Sequence, residues 1–440
     1  MLGNSVLFIL LLVEIVFVVF SLVKKSDLKK EKSVVRIAML IIFIFLIISP
    51  IIDWNFKWYM LGLFLLIQAI FGMLFILKKK ENLTAKRGKI IFSSLNRVFL
   101  IITLVIPAII LPQYAPIKST GEYPVGTVSY TLTDESRKEY FTQEDDNRKV
   151  TIQLWYPLDQ LGQEKITSNG KFPLVVFSHG AFGYRMSNYS TFQELASHGY
   201  TVCSIDHTYH AFMTKQEGGQ IVIGNMGFMN TAMQAQNGEL GAEEIYKLEQ
   251  NWMELRTGDM EFVLDYIKKL AMLDNSDTVF QTIDLEHIGV LGHSLGGATA
   301  AQLGRDDEDV DAVVVIDGTM LGEIVGFQDG KEIITDIPYP KPLLNIYNET
   351  HYNEAFELKD SYANMIATKN AMDSYEVVIK ESGHVNFTDL PMVSPFLSKL
   401  LGTGDIDARY CIETTNELIL QFFDSSLKSS NVAIAKERTY

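Results

Sequence analysis

Cysteine is nearly absent: there are two in 440 residues, Cys203 and Cys411. Two such distant thiols cannot form a disulfide framework, and they offer no zinc-ligand spacing. A single bond between them stays open, although Cys203 lies in the apolar run YTVCSID and reads as a buried thiol. Positive charge is scarce where it would matter for nucleic acid. The first 120 residues carry 15 Lys/Arg against 5 Asp/Glu, while the remaining 320 carry 23 against 48. The acidic part therefore lacks the basic surface that phosphate backbones require, and nucleic acid is excluded as a partner. At this length the acidic part can fill a core of its own. The chain thus reads as a basic, apolar module followed by an acidic globular one.

What the first 120 residues have in abundance is long apolar runs, expected as helices at about 5–23, 34–52, 58–77 and 96–113. The first three approach the roughly 20 residues needed to cross a bilayer, and the fourth is the shortest. The first lacks a positive start and a small-residue cleavage site, so it reads as a retained helix, not a removed signal. Glu14 lies within it and is expected near an interface or facing neighbouring helices. Loops 24–36 and 78–97 carry six and seven Lys/Arg, and loop 53–57 carries one. The basic loops are expected in the cytoplasm, which puts the N-terminus outside. Four crossings then display the acidic domain on the extracytoplasmic face of a plasma membrane, with the bilayer as partner of the helices. Residues 1–115 are assigned to this transmembrane region, 116–147 to a linker and 148–440 to a catalytic domain.

In the acidic part short β-branched runs alternate with helical spacing. RKVTIQLWYP, KFPLVVFSH, YTVCSIDH, LEHIGVLGHS, VDAVVVIDG, KPLLNIYNE and SYEVVIKES read as strands. This pattern predicts an α/β fold with a mostly parallel sheet covered on both faces. Residues 208–245 show no clean period. Residues 243–273 have helical spacing, with an expected break near Thr257–Gly258. Ligands of such sheets bind beyond the carboxyl ends of the strands.

At one of those ends stands Gly292-His293-Ser294-Leu295-Gly296. The strand before it and GGATAA after it fit a tight strand-to-helix turn that exposes the serine hydroxyl. Ser294 is the candidate nucleophile; its alternative is a plain helix N-cap. A serine needs a base held by an acid. His384, in ESGHVNF after a late strand, is the favoured base, with His351 in reserve. Asp317, ending VVVIDG, and Glu349, ending LLNIYNE, both fit the acid by position. Leu295 and Ala181, the latter in FSHGAFG, are the candidate backbone donors for an oxyanion hole. His179 is expected to brace that loop. Phe182, Tyr184, Phe228 and Met229 are candidate substrate-lining residues, with ordinary packing as their alternative.

FSHGAFG, ELASHGY, GHSLGGATA, VVVIDG and SGHVNF, in this order over about 145–425, resemble the platelet-activating factor acetylhydrolases of the plasma and intracellular type II kind. The resemblance implies an α/β-hydrolase fold, with Ser294 and His384 in the nucleophile and base positions. It selects Asp317 over Glu349 as the acid, and it puts the oxyanion donors at Ala181 and Leu295. It also implies a serine ester hydrolase that removes short sn-2 acyl groups from phospholipid, with no cofactor and no metal. Ala181 departs from the leucine frequent at that position, and the membrane helices are not part of the family pattern. A general short-chain carboxylesterase or cutinase-like esterase is the alternative substrate class. A membrane-anchored sensor or assembly protein without turnover is the alternative of another kind. Sequons at Asn82, Asn188, Asn348 and Asn386 include one beside His384, which points to a bacterial host without exported N-glycans.

Overall fold

A computed structural model of the chain describes residues 2–159, 170–371, 373–428, 430 and 437–440. It divides into two compact units, Met1–Ala115 with Met392–Leu397, and Pro116–Pro391 with Ser398–Tyr440.

The first unit holds four helices: α1 (Leu2–Lys24), α2 (Lys29–Ile48), α3 (Phe56–Leu77) and α4 (Arg87–Ile110). α1 packs on α4, α2 on α3, and α3 on α4. Leu10, Phe43, Trp58, Leu61, Leu65, Ile101 and Val105 form their seam. Glu14 faces α4, where Arg97 pairs with it at 3.3 Å. By length and composition α1, α3 and α4 are candidate membrane spans. Three of the four expected spans thus qualify by length and composition among the described residues, and α2 does not. α2 starts at Lys29 and stops at Ile48, so every 18-residue stretch of it carries at least three charged residues. The expected segment 34–52 is cut short because the helix ends before Ser49–Pro50. α4 begins at Arg87 rather than near 96, since its basic residues extend the helix N-terminally.

Among the described residues the second unit is built on one nine-stranded sheet. Its first four strands are β1 (Val125–Lys138), β2 (Asn147–Pro157), β3 (Phe172–Ser178) and β4 (Thr201–Asp206). A small hairpin follows, β5 (Met213–Lys215) and β6 (Ile221–Ile223), then β7 (Ile283–His293) and β8 (Ala312–Ile316). A second hairpin, β9 (Ile324–Gln328) and β10 (Lys331–Ile334), precedes β11 (Leu343–Asn348), β12 (Ser374–Ile379) and β13 (Glu437–Thr439). The strand order is β1-β2-β4-β3-β7-β8-β11-β12-β13. β1–β2 and β2–β4 are antiparallel, and every other pair in the sheet is parallel.

Two expectations change here. β1 lies within 116–147, the stretch read as a linker. Val128, Tyr130 and Leu132 alternate at the strand period, and Thr127, Ser129, Thr131 and Thr133 occupy the other face. The helix Ala242–Ala271 runs unbroken through Thr257–Gly258. Met253, Met260, Val263, Leu264 and Ile267 anchor it in the core, which outweighs the roughly 1 kcal/mol that an internal glycine costs.

The alternation along the strands feeds two cores. On β3, Leu174 and Val176 point to the face covered by Ala242–Ala271 and by the helix Leu295–Asp306. Val175 and Phe177 point to the other face, where Phe192, Leu195, Phe422 and Phe423 wait. Val313 and Val315 of β8 join the first core, and Val314 and Ile316 join the second. Each such side chain contributes about 1.5–3 kcal/mol on burial. Cys203 and Cys411 are both buried and free.

A buried ionic node ties the antiparallel edge to the helical layer. Arg148 of β2 meets Asp259 of Ala242–Ala271 twice, at 3.1 and 2.7 Å, and meets Glu139 at 2.9 Å. Arg137 also donates to Asp259, at 2.9 Å. Removing one member of a buried pair strands the other. Replacing Arg148 by Met should cost about 3–5 kcal/mol. Urea unfolding followed by circular dichroism measures this, and a loss below about 1 kcal/mol, as for an exposed pair, would contradict the buried role.

Candidate active site

Four loops leave the carboxyl ends of β3, β7, β8 and β12, and they bring the chemistry-bearing residues to one end of the sheet. The turn after β7 is the tightest. A methyl group on Gly292 would overlap the Gly296 carbonyl, and one on Gly296 would overlap the Ser178 carbonyl. Only glycine permits that approach, and it forces Ser294 to φ 56°, ψ −128°, a strained conformation for a side-chain-bearing residue. The Ser294 amide donates to the Ile316 carbonyl at 2.8 Å, fixing the turn to the end of β8. Helix Leu295–Asp306 begins immediately after the serine, and its free N–H end favours negative charge there.

Asp317 follows β8 with φ 50° and is buried. One carboxylate oxygen accepts from His384 Nδ1 at 2.6 Å and from Asn348 Nδ2 at 2.6 Å. The other accepts from His351 Nδ1 and from the Asn348 amide, each at 2.9 Å. Burial by itself would push the carboxyl up, but the bonds from His351 and His384 outweigh it and hold the group well below the usual carboxylate range. Glu349 is occupied elsewhere, accepting from the Glu381 amide at 3.2 Å. Asp317 is thus the carboxylate bound to His384.

His384 opens a short 3₁₀ turn after β12, and its side chain is partly exposed. Its Nδ1–H is used by Asp317, which leaves Nε2 as the basic nitrogen. Among the described residues no hydrogen bond joins Ser294 Oγ to His384; such bonds often tighten only around substrate. The two residues are linked through the neighbour of the serine. The His293 ring lies 4.6 Å from that of His384, and His293 Nε2 donates to the His384 carbonyl at 3.0 Å. Burial and the nearby His384 push His293 down to about 3, so it acts as a neutral brace.

His351, the reserve base, stands on the other side of Asp317 with both nitrogens engaged. Its Nε2 accepts from the Tyr362 hydroxyl at 2.6 Å, and Tyr362 in turn meets Thr319 at 2.7 Å. Neither His293 nor His351 was expected as a brace of the base and the acid. The signal available was their position: each adjoins a strand end that already carries a candidate.

The loop after β3 lies against the serine turn, with a Cβ position on Gly180 falling 3.2 Å from Ser294 Cβ. The Ala181 and Leu295 amides have no hydrogen-bond partner among the described residues. His179 is buried, and its Nδ1–H donates to the Gly180 carbonyl at 2.7 Å. Of the four expected lining residues, Phe182 and Tyr184 are exposed near this loop. Phe228 and Met229 take the alternative expected for them, packing: both are buried, and Phe228 stacks on His210 at 3.7 Å and meets Trp252 edge-on. They belong to the helix Met226–Gln236, whose apolar face packs inward although its sequence shows no clean period.

A strained serine, a histidine held by a buried carboxylate and two free amides can support acyl transfer. The model of the family described as platelet-activating factor acetylhydrolase, isoform II, matches residues 162–435. The platelet-activating factor acetylhydrolase of Bos taurus is 24% identical over 370 residues, covering 70% of this chain and 77% of the bovine protein. That of Canis lupus familiaris is 27% identical over 273 residues, covering 58% of this chain and 57% of the dog protein. The chain thus spans about three quarters of one relative and little more than half of the other. The ferulic acid esterase of Streptomyces cinnamoneus has a similar fold, with a TM-score of 0.53 at 24% identity over 71% of this chain and 93% of the esterase.

Because Asp317 is held ionised in the folded chain, its contribution to stability is full above the unfolded carboxylate pKa of about 3.9 and is lost as pH falls below it. Asp317→Asn should therefore flatten the acid limb of a Tm-against-pH profile between about pH 5 and 2. An unchanged acid limb would contradict the depressed carboxyl.

Proposed function

The chain belongs to the platelet-activating factor acetylhydrolase isoform II family, and from that membership we propose that it is a serine ester hydrolase acting on phospholipids with a short sn-2 acyl group. His384 Nε2 takes the proton of Ser294 as Oγ attacks the ester carbonyl. The tetrahedral oxyanion is held by the Ala181 and Leu295 amides. His384, now protonated at both nitrogens and steadied by Asp317, returns the proton to the leaving alcohol. Water, deprotonated by His384, then attacks the acyl-serine and releases the free acid. The observation that carries this reading is the 2.6 Å bond from His384 to a buried carboxylate, beside a serine forced to positive φ.

The same proposal tethers the enzyme to a bilayer through the apolar helices. Four crossings, with the catalytic unit outside, remain the reading that puts both basic loops in the cytoplasm. If α2 did not cross, those loops would lie on opposite faces. A tether keeps the site near lipid and raises the effective substrate concentration.

In the detergent-solubilised full chain, Ser294→Ala should lower p-nitrophenyl acetate turnover by about 10³-fold or more while the fold is retained. Wild-type turnover in that variant would remove the proposal. On phospholipids graded in sn-2 length the acetyl ester should be preferred, and equal rates on long sn-2 chains and on soluble monoesters would point to a general carboxylesterase. For orientation, alkaline phosphatase fused after residue 440 should be active in a bacterial host, and an inactive fusion of normal abundance would place the catalytic unit inside.

A further inference from the structure

We propose that Arg256, on the helix Ala242–Ala271, is a positioning residue that sets and polarises the oxyanion amide of Ala181. This rests on the hydrolase reading given above. Arg256 is fully buried beneath the loop after β3. Its Nη1 donates to the His179 carbonyl at 2.5 Å, and its Nη2 reaches the Gly180 carbonyl at 3.4 Å. The Gly180 carbonyl also accepts from His179 Nδ1 at 2.7 Å.

A trans peptide is planar, so its C=O and N–H point in opposite directions. The Gly180 carbonyl and the Ala181 N–H belong to one such plane. Arg256 Nη2, His179 Nδ1 and the Gly183 amide, the last at 3.1 Å, all hold that carbonyl, so together they aim the Ala181 N–H the other way, and Ser294 Cβ packs against the same Gly180 backbone. Hydrogen bonds at the carbonyl also polarise the amide and strengthen its N–H as a donor.

The rest of the surroundings keep Arg256 in place for this task. Its Nε donates to His210 Nδ1 at 3.3 Å, and His210 is clamped by stacking on Phe228. No ion pair to Arg256 occurs among the described residues. The carboxylate with the largest effect on it, Asp259, is taken by Arg148, Arg137 and His207. Burial pulls the guanidinium down to about 9, with Asp259 opposing, so it stays charged at neutral pH. A buried cation spending its fork on two adjacent loop carbonyls is costly unless that loop must be held. The charge also lies one peptide behind the point where negative charge develops, in surroundings of low dielectric.

The test uses the full chain, with p-nitrophenyl acetate as substrate and a phenyl trifluoromethyl ketone as tetrahedral mimic. Arg256→Met should lower kcat by about 10²-fold, as loss of one oxyanion donor does, with little change in KM. The inhibition constant for the ketone should rise by a matching factor, because mimic and transition state share the oxyanion. Arg256→Lys, which keeps the charge without the fork, should fall between wild type and Met on both measures. A merely structural role would lower the melting temperature and the active fraction, leaving kcat per labelled site and ketone affinity unchanged; that result overturns the proposal. Should the Met variant not fold, wild-type kcat and ketone affinity in the Lys variant overturn it as well, and a joint loss supports it. Ser294→Ala run in parallel separates the two levels. Full turnover there defeats the hydrolase reading, whereas an inactive Ser294→Ala beside a fully active, folded Arg256→Met defeats only the role of Arg256.

Discussion

Three backbone segments meet at Ser294 with no room for a side-chain carbon between them. The last residue of β3, the last glycine of β7 and the first turn of the helix Leu295–Asp306 touch through Ser178, Gly292 and Gly296. That contact forces the serine into a conformation that a β-carbon resists, and the parallel sheet on either side supplies the packing that sustains it. Everything else at the site is arranged around this turn. The loop after β3 lies against it, the Asp317 loop is tied to it by the Ser294 amide, and the His384 loop is tied to it through His293.

A second set of the same residue types shows why strain and access matter. Ser178 Oγ, His207 and Asp259 form a chain of bonds at 2.8 and 3.0 Å, the same order of groups as a catalytic triad. All three are sealed from solvent, and Ser178 sits in regular strand. Burial pushes His207 down to about 4, with its bond to Asp259 opposing, so it is neutral in the resting fold. This chain binds β3, β4 and the long helix together beneath the loop that faces the substrate side. Two aspartates thus organise the unit. Asp259 fixes the layers, and Asp317 fixes the histidine of the site, each kept ionised against burial by the donors around it.

Much of this was legible in the sequence because each candidate terminates an apolar strand. Ser294, Asp317 and His384 follow LEHIGVLGH, VDAVVVI and SYEVVIK, and strand ends in a parallel sheet converge. The two acids Asp317 and Glu349 looked alike by this rule; what separates them is that Asp317 accepts from His384 while Glu349 accepts from the Glu381 amide, contacts that a sequence does not display. β1 escaped notice because its serine and threonine face, beside flanking glycine, proline and charge, resembles a linker. Arg256 and Asp259 escaped because they lie inside a helix whose apolar period draws the eye, while their buried polar partners come from loops distant in sequence. Phe228 and Met229, open between lining and packing in an irregular, methionine-rich stretch, take the packing place because the apolar face of their helix turns into the core. α2 carries the apolar run that the sequence displays, and its helical limits add the charges that precede it.

The account stands or falls on whether a tetrahedral adduct at Ser294 finds its oxygen between two backbone amides. A crystal structure of the full chain inactivated by an alkyl fluorophosphonate measures this directly. The account predicts phosphorus bonded to Ser294 Oγ, with the phosphonyl oxygen about 2.7–3.1 Å from the Ala181 and Leu295 nitrogens. Phosphorus on another residue, or a phosphonyl oxygen turned to solvent away from both amides, would contradict it.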